Sequence, residues 1–135
     1  MEDEAVAAAA AAIRTASEAV AALKPDMGAI ARLSEDFSLT GIAAFALTDS
    51  DPAIHIRAFA PAVGVPEDPV TGSANAALPA YLERFGLLDR TGREYVSMQG
   101  MELGRDGRVH VRVGADSRVQ IGGQAVTVIE GELHV

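Results

Sequence analysis

The stretch Gly64-Val65-Pro66-Glu67-Asp68-Pro69-Val70-Thr71-Gly72-Ser73-Ala74-Asn75-Ala76-Ala77-Leu78 places an acidic pair, two prolines and a Thr-Gly-Ser turn directly before an alanine-rich helix. Pro66 and Pro69 fix their own φ and push Val65 and Asp68 toward extended backbone, so the loop reaches the helix in few conformations. Gly72 permits a tight turn. Ser73 is placed to cap a helix that begins at Ala74, whose free N–H groups would suit a carboxylate or phosphate. The same residues also make an ordinary N-cap and an ordinary surface turn, so local chemistry admits both a cap and a ligand site.

The longer run from Ile54 to Leu78 reads I-x-I-R-x-F-A-P-x-x-G-V-P-E-D-P-V-T-G-S-A up to Ala74. It resembles the signature of the phenazine-biosynthesis PhzF-like family, which has the diaminopimelate epimerase fold. Leu23-Lys24-Pro25-Asp26 with Ile30 and Leu33 is similar to a short helix at the start of that family's second half. Gln99-Gly100, Leu103-Gly104-Arg105, the run Val119 to Val128 and Gly131-x-Leu133 are similar to its closing strands. The resemblance is thus expected to cover the family's C-terminal half only, from about Ala16 onward.

Composition bounds the alternatives. A chain of 135 residues, 49% hydrophobic, suffices for one domain with a core. The expected division is an alanine-rich segment over 1–15 and a single domain over 16–135. A net charge of −8 argues against nucleic acid and anionic membrane as partners. No cysteine is present, which removes disulfides, thiolate metal sites and the cysteine acid–base pair that racemases of similar architecture use. No apolar run reaches a membrane span and Met1-Glu2-Asp3-Glu4 is acidic, so the expected location is cytoplasmic.

Pattern gives helices first and strands later. Ala5 to Ala12 is expected to be helical, and Thr15 with Glu18 has capping-box spacing before Val20, Leu23 and the stop at Pro25. A second short helix is expected from about Asp26 to Leu33. Ile42 to Leu47 reads as a buried strand, and Ile54, Ile56 and Ala58 alternate with His55, Arg57 and Phe59. The main helix is expected over Ser73 to Phe85, with Leu78, Leu82 and Phe85 inward, Pro79 disturbing it and Gly86 ending it. Strands are expected at Tyr95 to Met101, Arg108 to Val113, Arg118 to Ile121, Ala125 to Glu130 and Glu132 to Val135. Asp106-Gly107 is read as a hairpin turn. The fold class is α+β, antiparallel strands wrapped around a central helix as in a diaminopimelate epimerase-like half.

The resemblance implies a cofactor-independent isomerase that moves a proton on a small carboxylate substrate. In the family a glutamate beside a Gly-Asn-Pro motif in the first half moves the proton, and this sequence holds no such motif. The residues that correspond to the family's site are Asp68, to orient or protonate a polar substituent, and Ser73 with the Gly72 and Ala74 amides, to hold the carboxylate. Glu67 beside Asp68 is a candidate substitute base, although exposure is expected to keep it solvated. His55 and His110 are expected to point out of the core. No two histidines have metal-ligand spacing, and no metal or cofactor is called for. Arg105 either pairs with an acid or reaches a carboxylate, and Gly122-Gly123 is either a bulge or an amide approach. The alternative function is a half-fold without chemistry that binds small acids or self-associates. On either reading a homo-oligomer or a first-half partner chain is expected.

Overall fold

The computed structural model describes residues 16–134. The expected Ala5 to Ala12 helix and the Thr15 cap lie outside the described residues. Residues 16–21 are helical and form α1. Asp26 then caps α2 (Met27–Asp36), its carboxylate accepting from the Ala29 N–H at 2.9 Å, so the polar cap required at a helix start sits where the chain turns.

A six-stranded sheet follows. Strands β1 (Ile42–Leu47), β2 (Ile54–Ala60), β4 (Glu94–Gln99), β5 (Gly107–Val113) and β6 (Val119–Gly122) run in that order across it, and β3 (Val65–Asp68) pairs with β2. Between β3 and β4 lie the main helix α3 (Gly72–Arg84) and the short α4 (Leu88–Thr91). The α+β class is as read, but the sheet is mixed rather than antiparallel. β2 and β4 are parallel, in register at Ile54 and Ser97, because α3 carries the chain back to the end at which β2 began.

The alternation of β2 is resolved by helices on both faces. Ile54 and Ile56 are fully buried against α3, where Leu78 and Leu82 meet Val109, Val111 and Val113 of β5. Each fully buried aliphatic side chain there contributes about 1.5–3 kcal/mol. On the opposite face His55, Arg57 and Phe59 are buried too, because α1 and α2 cover that side. The expectation that His55 points out of the core is therefore corrected: alternation on a strand reports two faces, and here both are covered. His110 on β5 is exposed, as read.

Helix α3 starts one residue earlier than read and runs through the buried Pro79. Phe85 is its C-cap and is 57% exposed, so it does not join the core. The hairpin between β4 and β5 is not a two-residue Asp-Gly turn. Gly100 to Asp106 forms the connection, with a 3-10 turn at Met101–Leu103. Residues 123–134 belong to no strand and carry Val126, Val128, Ile129 and Leu133 at 84–88% exposure, so the two closing strands read from their alternation have no pairing partner among the described residues.

Tyr95 packs in the α3 core with its hydroxyl unpartnered, and burial pushes its phenol up to about 12. The unfolded chain loses that proton near pH 10, before the folded state does, so the stability held below about pH 10 falls as pH rises toward 12. The full loss is about 2–3 kcal/mol. In a Tyr81→Phe background, absorbance titration is expected to show a single phenol ionising near the upper end of that window. Tyr95→Phe is expected to flatten the alkaline decline measured by urea unfolding.

Candidate active site

The Pro-rich loop runs as β3 alongside β2, and Asp68 stands at its end opposite Ala58. Asp68, Thr71 and Ser73 meet at one end of an open cleft of about 650 Å³. The other walls are apolar: Phe45 from β1, Ile56 and Ala58 from β2, and Ala74, Leu78 and Tyr81 from α3. Ser73 is not the helix cap. Thr71 is, with extended backbone, and its carbonyl accepts from the Asn75 N–H at 3.2 Å. Gly72 is the first helical residue, its φ lies outside the left-handed range and open space lies beside it, so nothing at this position requires glycine.

A helix start leaves four N–H groups without intrahelical acceptors. One of them, on Thr71, is given to Gln99 Oε1 at 3.0 Å. Those of Gly72, Ser73 and Ala74 remain at the cleft end, with the exposed Ser73 hydroxyl beside them. Asp68 is held from behind: its Oδ2 accepts from the Thr71 hydroxyl at 2.8 Å, and its carbonyl accepts from Gln99 Nε2 at 2.8 Å. Gln99, Asn75 and Ser97 behind this loop are fully buried. Asn75 donates to the Thr71 carbonyl at 2.9 Å and to Gln99 Oε1 at 3.2 Å, and it accepts from the Ser97 hydroxyl. Sequence alone assigns no function to these three. Their signal was a polar side chain at each of three inward positions, Asn75 in line with Leu78 and Leu82, and Ser97 and Gln99 in phase with Tyr95.

Two glycines let the loop lie this close. A Cβ on Gly100, at φ +86°, would stand 2.5 Å from the Pro69 carbonyl oxygen. One on Gly107 would stand 2.6 Å from both Val70 Cγ2 and the Gln99 carbonyl oxygen.

Glu67 does not face the cleft and is not solvated. Its carboxylate takes both Arg57 Nε at 2.8 Å and Nη2 at 2.9 Å, with the side chain only 9% exposed. Arg57 Nη1 also donates to the carbonyls of Val20, Ala21 and Leu23 at the end of α1. Pro66 and Pro69, flanking the Glu67-Asp68 pair, hold β3 extended, which directs Glu67 to one face and Asp68 to the other. On the Arg57 side, His55 Nδ1 is 3.2 Å from Ser17 Oγ. Its Nε2 is 3.0 Å from Glu102 Oε1, near enough for an ion pair but off the line of a hydrogen bond. Arg105 is exposed and outside the cleft, and Gly122 closes β6. Among the described residues no cluster of His, Asp or Glu is arranged to hold a metal, and no helix is long and apolar enough to cross a membrane.

The described residues thus form an α+β domain with a carboxylate and a hydroxyl-bearing helix start at one end of a largely apolar cleft. Residues 7–131 match the family described as Phenazine biosynthesis-like protein, and the chain belongs to that family. An uncharacterized isomerase of Clostridium acetobutylicum is 40% identical over 119 residues, covering 82% of this chain and 39% of the relative. The uncharacterized isomerase YddE of Escherichia coli K12 is 34% identical over 117 residues with the same two coverages. A crystal structure of a PhzF-family phenazine biosynthesis protein from Enterococcus faecalis superposes with a TM-score of 0.63 at 30% identity, over 87% of this chain and 41% of that one. One from Bacillus anthracis gives 0.54 at 27% identity, over 73% and 35%.

These matches correct the expectation that the resemblance is limited to a C-terminal half of the family beginning near Ala16. The family match takes in residues 7–131 and the solved structures cover most of the chain, so the likeness is near full-length for this sequence. The chain spans about two fifths of the length of the curated relatives it matches.

Proposed function

We propose that this chain supplies one wall of a cofactor-independent isomerase site that shifts a proton on a small carboxylate substrate. The observation that carries the reading is the convergence of Asp68, Ser73 and the α3 N-terminus at the polar end of an otherwise apolar cleft. The substrate carboxylate sits at the N–H groups of Gly72, Ser73 and Ala74 with the Ser73 hydroxyl, where the helix dipole favours negative charge. The substrate's apolar part lies against Phe45, Leu78 and Tyr81. Asp68 orients or protonates a polar substituent, which fixes the geometry for transfer.

Among the described residues Asp68 is the only carboxylate lining this cleft, and Glu67 is committed to Arg57. The proton-accepting group is therefore assigned to polypeptide beyond the described wall, a second copy of this chain or a partner. The same observation favours a second reading, a binding domain for small acids without chemistry of its own.

Incubation with dihydro-hydroxyanthranilate-like acids in deuterated water, with and without polypeptide that completes the cleft, separates the two. Deuterium at a ring carbon is the expected result with the completed cleft. Asp68→Asn and Ser73→Ala are each expected to lower exchange about a hundredfold, the scale of a lost acid–base or anion-holding group. Acid binding without exchange in either arm would leave only the second reading. Binding unchanged in both variants would remove the cleft reading.

A further inference from the structure

The polar net behind the loop has a direction that its backbone members dictate. A backbone N–H only donates and a carbonyl only accepts. The Thr71 N–H and the Asp68 carbonyl both contact the Gln99 amide, so the Gln99 oxygen must face Thr71 and its nitrogen must face Asp68. The same nitrogen lies 2.8 Å from Thr71 Oγ1 and can only donate to it. With that lone pair used, the single hydroxyl proton of Thr71 is left for Asp68 Oδ2, 2.8 Å away. Asn75 is fixed in the same manner: the Thr71 carbonyl requires its nitrogen, which turns its oxygen toward the Ser97 hydroxyl. Full burial of Ser97, Asn75 and Gln99 denies each of them water as an alternative partner.

We propose that Thr71 is a positioning residue for Asp68, with its polarity set by Gln99, and that by giving its proton to Oδ2 it leaves Oδ1 as the oxygen presented to a ligand. As a carboxylate oxygen, Oδ2 takes the Thr71 proton. Oδ1 makes no hydrogen bond among the described residues and belongs to the side chain that lines the cleft. The ligand thus meets Oδ1, whose lone pairs are free to accept. This rests on the cleft reading above for its use, though not for its geometry.

The test compares wild type, Thr71→Val and Thr71→Ser by NMR on the isotopically labelled chain. Two probes are titrated: 2-aminobenzoate, whose amino group can reach Asp68, and benzoate, which lacks it. Thr71→Val is expected to weaken 2-aminobenzoate about tenfold, the scale of one misdirected charge-assisted hydrogen bond, and benzoate by less than about twofold. Thr71→Ser is expected to restore the wild-type difference between the probes. Equal weakening of both probes, or no rescue by serine, would overturn the positioning role. Without any ligand, wild type is expected to show a slowly exchanging Thr71 hydroxyl proton close to the Gln99 side-chain amide. Its absence would overturn the assigned polarity even where Thr71→Val does not fold. If wild type bound neither probe, the cleft reading would fall, and the hydroxyl resonance alone would decide the polarity.

Discussion

Replacing Arg57 with methionine is expected to lower the unfolding free energy by about 3–5 kcal/mol, because a buried pair loses one member and the other is left charged without compensation. The guanidinium holds the Glu67 carboxylate with two hydrogen bonds and, with a third nitrogen, the carbonyls of Val20 and Ala21 in α1 and of Leu23 just beyond it, and Arg57 is only 6% exposed. Aliphatic packing of similar length cannot serve any of those acceptors. Urea unfolding of Arg57→Met, Glu67→Gln and the double variant gives the coupling directly. The double variant is expected to be more stable than the sum of the single losses predicts, since removing both charges spares the orphaned carboxylate. A loss under about 1 kcal/mol in Arg57→Met would place the pair in the class of exposed ion pairs and contradict its burial.

Alanine at Gly100 is expected to cost about 2–4 kcal/mol and to displace the site loop. Two terms add. The positive φ disfavours any Cβ by about 1–2 kcal/mol, and a methyl 2.5 Å from the Pro69 carbonyl oxygen forces the backbone apart. Gly64 provides the control, since it has a similar φ of +83° and nothing within 4 Å of an added Cβ. Gly64→Ala is therefore expected to show the backbone term alone. Only Gly100→Ala is expected to shift the amide resonances of Thr71, Gly72 and Ser73, because Pro69 carries Asp68 on one side and leads to Thr71 on the other. Similar losses and similar spectra for the two variants would show that the close approach at Pro69 is relaxed at no cost.

The sequence made the cleft end legible because it is local. Pro66 and Pro69 restrict their neighbours whatever surrounds them, and Asp68 and Ser73 do converge on one cleft. The alternation of Val109, Val111 and Val113 was equally readable, since one face of β5 is buried and the other is not. What escaped was set by long-range packing. The covered second face of β2 buried His55 and Arg57 against α1, and no local pattern announces a helix 34 to 38 residues away in sequence. Glu67 went astray for the same reason: its partner is on a neighbouring strand. Thr71 replaced Ser73 as the cap because the geometry of Asp68 and Gln99 fixes where the helix begins, and Gln99 is 28 residues distant. The polarity of that net was invisible in the sequence, because it depends on which backbone groups fold against one amide.

The cleft's small residues separate two kinds of change. Ala43, Ala58, Ala74 and Ala77 line it, whereas the net that aims Asp68 lies behind the loop, in Asn75, Ser97 and Gln99. Enlarging an alanine reshapes the space open to a ligand while the hydrogen bonds that hold the carboxylate keep their partners. The site is thus built in two independently variable parts, a rigid chemical edge and an adjustable mould. Substitutions in the mould can therefore change the shape of the space while the edge keeps its hydrogen bonds.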